Sequence, residues 1–199
     1  MGLQQLRVTA MVLALVSACG TKPSAGPVLA EGPSGFPVDR HASRSQLSAG
    51  EVAEVLPSDP RTTRSELVRD GFVNAATKVF RAPSGDFVLS VTLRFDTTAH
   101  AGRALQHVLD DVGARGAAFD PSLHGAKTGV FRTASLPGAT TFVLGGEDRA
   151  GGHALFLQGV AFTVGPRAFV VESGGSAPAN TQTVEGFAVD LHRLASKES

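Results

Sequence analysis

The chain has 199 residues, in which 18 Lys and Arg balance 18 Asp and Glu, and 42% of the residues are hydrophobic. A net charge of zero with no basic block lacks the electrostatic footprint of a nucleic-acid binder. A single cysteine rules out a disulfide framework within the chain, so an exported domain of this sequence is held by its core alone.

Arg7 precedes an apolar run from Val8 to Ala18, which ends at Cys19 and Gly20. A basic start, an apolar centre and small residues at the end are the plan of a secretory signal. The run is roughly half the ~20 residues that a bilayer-spanning helix needs. Val16-Ser17-Ala18-Cys19 resembles the lipobox of bacterial lipoproteins. The resemblance implies a signal peptide over residues 1–18, a diacylglyceryl group on the Cys19 thiol, and anchoring at the outer face of the cell membrane. Each buried methylene contributes ~0.8 kcal/mol, so two or more acyl chains hold far better than one. A thioether at Cys19 is also unavailable as a metal ligand or nucleophile.

Residues 19–46 are rich in Gly, Pro, Ser, Ala and Thr, with Val28, Leu29 and Phe36 too sparse to build a core. This composition predicts a flexible tether, whose ~25 residues would span about 25–30 Å as a coil. The folded domain is expected over residues 47–199. A mature chain of that order is long enough, because domains of ~150 residues bury more than two-thirds of their unfolded surface.

Leu47 to Leu56 carries one apolar stripe and is expected to be helical up to Pro57. Thr63-Arg64-Ser65-Glu66 has capping-box spacing and predicts a second short helix that stops at Gly71. Phe72–Arg81 and Asp86–Phe95 read as strands joined by a turn at Ala82-Pro83-Ser84-Gly85. In the second, Phe87, Leu89, Val91, Leu93 and Phe95 share one face, while Ser90, Thr92 and Arg94 share the other with Val88. Asp96-Thr97-Thr98 offers caps for a helix from Thr98 to Arg115 with the stripe Ala101, Leu105, Val108, Leu109 and Val112. After a loop over residues 116–129, short strands fit Val130–Ala134 and Thr140–Leu144. A hairpin, Ala154–Val164 and Arg167–Ser173, turns at Gly165-Pro166. The final helix has Asn180 or Thr181 as cap and the stripe Val184, Phe187, Ala188, Leu191 and Leu194. The order strand, strand, helix, strands, helix predicts an α+β fold, a mostly antiparallel sheet with helices on one face. The pattern of hairpin then helix occurs twice, which suggests a degenerate duplication.

Chemistry-bearing motifs are sparse. His41, His100, His107, His124, His153 and His192 form no metal-ligand spacing. His100 and His107, seven apart, are expected on a helix surface, and His124 in a loop. There is no Gly-x-Ser-x-Gly elbow and no Ser-x-x-Lys. Glu147 and Asp148 lack the alternating oxygens of a calcium loop and read as turn charges. All aromatic residues are Phe, which disfavours sugar or nucleobase platforms. No catalytic, cofactor or metal residue is assigned, and Cys19 is the one site residue.

Asp70-Gly71-Phe72 opening a strand, Leu93-Arg94-Phe95 before a helix, and Gly159–Val171 around Gly165-Pro166 resemble small secreted α+β lipoprotein domains of actinobacteria. Some of those domains have a PsbP- or Mog1-like sheet with flanking helices. The resemblance implies an envelope lipoprotein and no catalytic residue. The leading expectation is a non-enzymatic binding domain that recognises another envelope protein. The alternative is a carrier or sensor of a small apolar or lipid ligand, and a cryptic enzyme ranks third. An apolar pocket favours the ligand, whereas an open sheet face or exposed apolar patch favours the protein partner.

Overall fold

The computed structural model describes residues 24–56, 58–118, 129–132, 135–147, 154–176 and 181–198. In chain order these form β1 (Arg44–Leu47), α1 (Ala49–Ala53), α2 (Pro60–Arg69), β2 (Phe72–Arg81), β3 (Phe87–Phe95) and α3 (Thr98–Ala118). There follow β4 (Gly129–Arg132), β5 (Thr140–Glu147), β6 (Ala154–Val164), β7 (Arg167–Gly175) and α4 (Thr181–Lys197). The fold is α+β as expected: the strands form one sheet in the order β1-β2-β3-β7-β6-β5-β4, with every neighbouring pair antiparallel.

Alternation in β3 and the stripe of α3 hold to the residue. Leu89, Val91, Leu93 and Phe95 are buried with Ala101, Leu105, Val108, Leu109 and Val112 in one core. Phe95 meets Phe72 edge-on at 6.0 Å between ring centroids. Thr97 caps α3, its hydroxyl accepting from the His100 N–H at 3.2 Å. Gly165, with φ +55°, takes the first central position of the two-residue β6–β7 turn, where a Cβ would be strained.

The helices do not lie on one face. Val52 of α1 and Leu67 of α2 join α3 on one side, while Val184, Ala188, Leu191 and Ala195 of α4 pack with Val160, Phe162, Phe169 and Val171 on the other. The cause is the unbroken apolar run Ala168–Val171 in β7, which presents buried residues to both faces and needs cover on both. Leu194 points outward and Ala195 takes the core position expected of it. The opposite placement of α3 and α4 also decides the duplication. Antiparallel pairing of β3 with β7 allows only a two-fold axis normal to the sheet, which would put both helices on the same face. The repeat is one of element order alone.

Residues 24–46 are not a free tether. Leu29 is buried beside Phe80 and Val88 on the α4 face, and its N–H donates to the Ser90 hydroxyl at 3.2 Å. Thr92 donates to the Pro27 carbonyl, and Arg94 donates to the Ser24 carbonyl at 2.9 Å. Sparse apolar residues suffice here because the polar side of β3 supplies the bonds. Ser90 and Thr92, expected on a half-solvated face, are therefore fully buried.

Helix starts differ as well. Leu47 closes β1, and α1 begins after Ser48, whose hydroxyl and backbone exchange hydrogen bonds with Glu51 in a capping box. Thr63 is no cap: it lies buried inside α2, which starts at Pro60 with Asp59 accepting from the Thr62 N–H at 2.9 Å. Pro at the first helical position fits, since its missing N–H would have no partner there. Gly71, with φ +71°, ends α2 as expected.

Candidate functional site

A cleft of about 460 Å³ opens between β1 with its preceding turn, the end of α1, and the α1–α3 face of the sheet at β2, β3 and β7. Its walls are mostly apolar: Leu47, Val55, Val79, Phe87 and Leu89. The outer wall is set by Asp39. Its carboxylate accepts from the His41 and Ala42 N–H groups at 3.1 and 3.2 Å, and its own N–H donates to the Val79 carbonyl at 2.8 Å. Those bonds fold residues 39–43 into a turn that carries His41 and Ala42 to the cleft. The same contacts, first the Ala42 N–H and then Arg81, hold the Asp39 carboxyl below its ordinary pKa.

Glu172 forms the foot of the cleft. In the sheet it lies between Leu89 and Gly159, in a row that runs Val79, Leu89, Glu172, Gly159, Phe142 across five strands. Gly159 is required in that row, because a Cβ there would sit 2.1 Å from Phe142 Cζ. Glu172 is 3% exposed, and its Oε2 has no hydrogen-bond partner among the described residues. Burial pushes the carboxyl up to about 8 from 4.5, because the charged form is stripped of water. At neutral pH the group is a carboxylic acid, able to donate one hydrogen bond and accept others, or to ionise opposite a cation.

The rim is charged but largely self-paired. Arg44 meets Glu51 at 3.6 Å, and Arg81 meets Asp39 at 3.3 Å while its guanidinium lies 5.6 Å from the Phe87 ring centroid. Glu54 and His41 complete the mouth.

Sequence reasoning did not find this site. Its outer wall comes from residues read as tether, and its foot from a glutamate that looked like the end of a strand. One signal was present. Alternation puts Ala168, Val170 and Glu172 on one face of a strand that is apolar on both sides, so Glu172 follows its neighbours into the core.

Of the histidines noted in the sequence, His41 stands at the mouth of the cleft, and the others that are described lie elsewhere. His100 pairs with Asp96, and His107 lies 3.7 Å from both Glu66 and Asp70 and 3.0 Å from Arg69 Nη2, an ion network that joins α3 to α2 and its buried cap Asp70. The His192 ring rests against Phe162 at 5.5 Å. Among the described residues no group of three His, Cys, Asp or Glu could hold a metal, and no helix is long and apolar enough to cross a membrane. Cys19, His124, Asp148 and His153 lie outside the described residues.

No protein-family model matches the chain, and no curated protein matches it in sequence. Among solved structures, the extracellular domain of PknH from Mycobacterium tuberculosis is similar in part, with a TM-score of 0.43 and 13% identity over 63% of this chain and 67% of that one.

Proposed function

We propose that this chain is a lipid-anchored extracytoplasmic binding protein that holds a small, mainly apolar ligand in the cleft above Glu172. One observation carries the reading: a buried carboxyl, whose Oε2 has no partner among the described residues, lines an apolar cleft of about 460 Å³. An unsatisfied buried polar group costs on the order of 1–3 kcal/mol, more if charged, and a ligand that completes it recovers that cost. Small-molecule sites are commonly apolar clefts of ~300–1,000 Å³ with a few placed polar groups.

The rival reading, recognition of another envelope protein, expected an open sheet face or an exposed apolar patch. The apolar core of the sheet is covered by α1–α3 on one side and by α4 with Leu29 on the other. The large apolar residues left exposed among the described residues are divided among separate elements, Val38 before β1, Val68 on α2, Val73 on β2, and Val189 and Leu194 on α4. The ligand reading therefore ranks first. Anchoring and location rest on Val16-Ser17-Ala18-Cys19 and its resemblance to a lipobox.

The test is titration of the full chain with octan-1-ol, followed by amide chemical shifts. Saturable shifts should centre on Ala42, Val55, Val79 and Leu89, and Val55→Trp, which fills the mouth, should abolish them. Saturable shifts centred elsewhere, or none, would refute the proposal.

A further inference from the structure

The foot of the cleft holds a polar group that its apolar walls do not explain. Arg44 is engaged by Glu51 and Arg81 by Asp39. That leaves Glu54 at the mouth and, at the foot, Glu172, whose Oε2 has no partner among the described residues. Among the described residues, the remaining titratable group at the cleft is His41, on the turn before β1, and the other elements against β7 bring no charge to Glu172. β3 offers Leu89, β6 offers Gly159, α3 turns Val108 and Val112 to the shared core, and α4 packs on the opposite face. A cationic group that reaches the foot would hold Glu172 as a carboxylate, and on its way in it would pass the carboxylate of Glu54.

Resting on the ligand-binding reading of that cleft, we propose that its ligand is an amphipathic amine, whose ammonium group donates to Glu172 Oε2 while its hydrocarbon lies along Val55, Val79, Phe87 and Leu89. A buried carboxylate opposite an ammonium makes a charge-assisted hydrogen bond, which is stronger than the neutral bond an alcohol would make. The exchange is balanced in atoms and charge. The free chain holds Glu172 as a carboxylic acid at neutral pH, since burial pushes it up to about 8. On binding, the neutral acid and the alkylammonium ion become a carboxylate–ammonium pair, and the proton that leaves the carboxyl oxygen passes to solvent. Affinity for the amine should therefore rise with pH by about tenfold per unit until the free carboxyl itself ionises.

Calorimetry of the full chain with octylammonium chloride, octan-1-ol and sodium octanoate at pH 7, in two buffers of different ionisation enthalpy, tests this. Octylammonium should bind at least tenfold more tightly than either other probe and release about one proton per molecule bound. Glu172→Gln should bring octylammonium down to the affinity that octanol has for the same variant and abolish the proton release. The proton count on the unaltered chain stands whether or not that variant folds. Equal affinities, tighter octanoate, or amine binding without proton release would overturn the amine assignment and leave ligand binding intact. Binding of none of the three probes would overturn both.

Discussion

Glu172→Gln should change the way stability depends on pH more than it changes stability itself. In the folded chain burial pushes this carboxyl up to about 8, against 4.5 for the exposed group. Above pH 4.5 the unfolded chain has released this proton and the folded chain has kept it. The folded state then binds more protons, so stability falls as pH rises and levels off above pH 8. The full difference of about 3.5 pH units corresponds to about 5 kcal/mol at ~1.4 kcal/mol per unit, and roughly 3–4 kcal/mol of it falls between pH 5 and pH 8. That is a large share of the ~5–15 kcal/mol that holds a typical domain. Glutamine fills nearly the same volume without titrating, so the variant should lose this slope. Asp39, Glu51 and Asp96 do not mask the effect. Their carboxyls are held low, by the Ala42 N–H, the Ser48 N–H and the His100 side chain respectively, so what they contribute is lost only as pH falls below the ordinary carboxylate range. Urea unfolding of both chains at pH 5, 6, 7 and 8 measures the effect. Stability profiles that run parallel for wild type and variant would refute the reasoning.

Four further outcomes are expected. Ser90→Ala should cost about 1–3 kcal/mol, because it leaves the buried Leu29 N–H without its acceptor, and hydrogen exchange at Leu29 should accelerate. Gly159→Ala should cost about 1–3 kcal/mol or more by driving a methyl group into the Phe142 ring, as read from urea unfolding. Phe95→Ala should cost roughly 3–5 kcal/mol, since the ring is fully buried against Phe72; an unchanged melting temperature would contradict the register of β3. Cys19→Ala should move the chain from the membrane to the soluble fraction of fractionated cells, and continued membrane association would remove the lipid anchor from the account.

What could be read from the sequence follows from where the signal resides. In β3 and α3 each residue's fate is set by its own period, so Leu89 to Phe95 and Ala101 to Val112 emerge at the right positions. Residues 24–46 fail that approach because Pro27, Leu29 and Val38 have no period. They are held by partners distant in the chain: Thr92, Ser90 and Phe80. The spacing Thr63-x-x-Glu66 is as good a capping box as Ser48-x-x-Glu51, and what separates them is Pro60, which opens α2 earlier. Glu172 is the harder case. A glutamate close to a pair of glycines normally marks a strand running out into solvent, and only the cover that α1 and the 39–43 turn place over β7 makes it the foot of a cleft.

The most direct test of the cleft as a ligand site is native mass spectrometry of the chain isolated from its own host, side by side with Val55→Trp. The wild-type chain should carry a reproducible non-covalent mass that disappears on denaturation and is missing from the variant. A bare chain in both, or the same added mass on both, would contradict it.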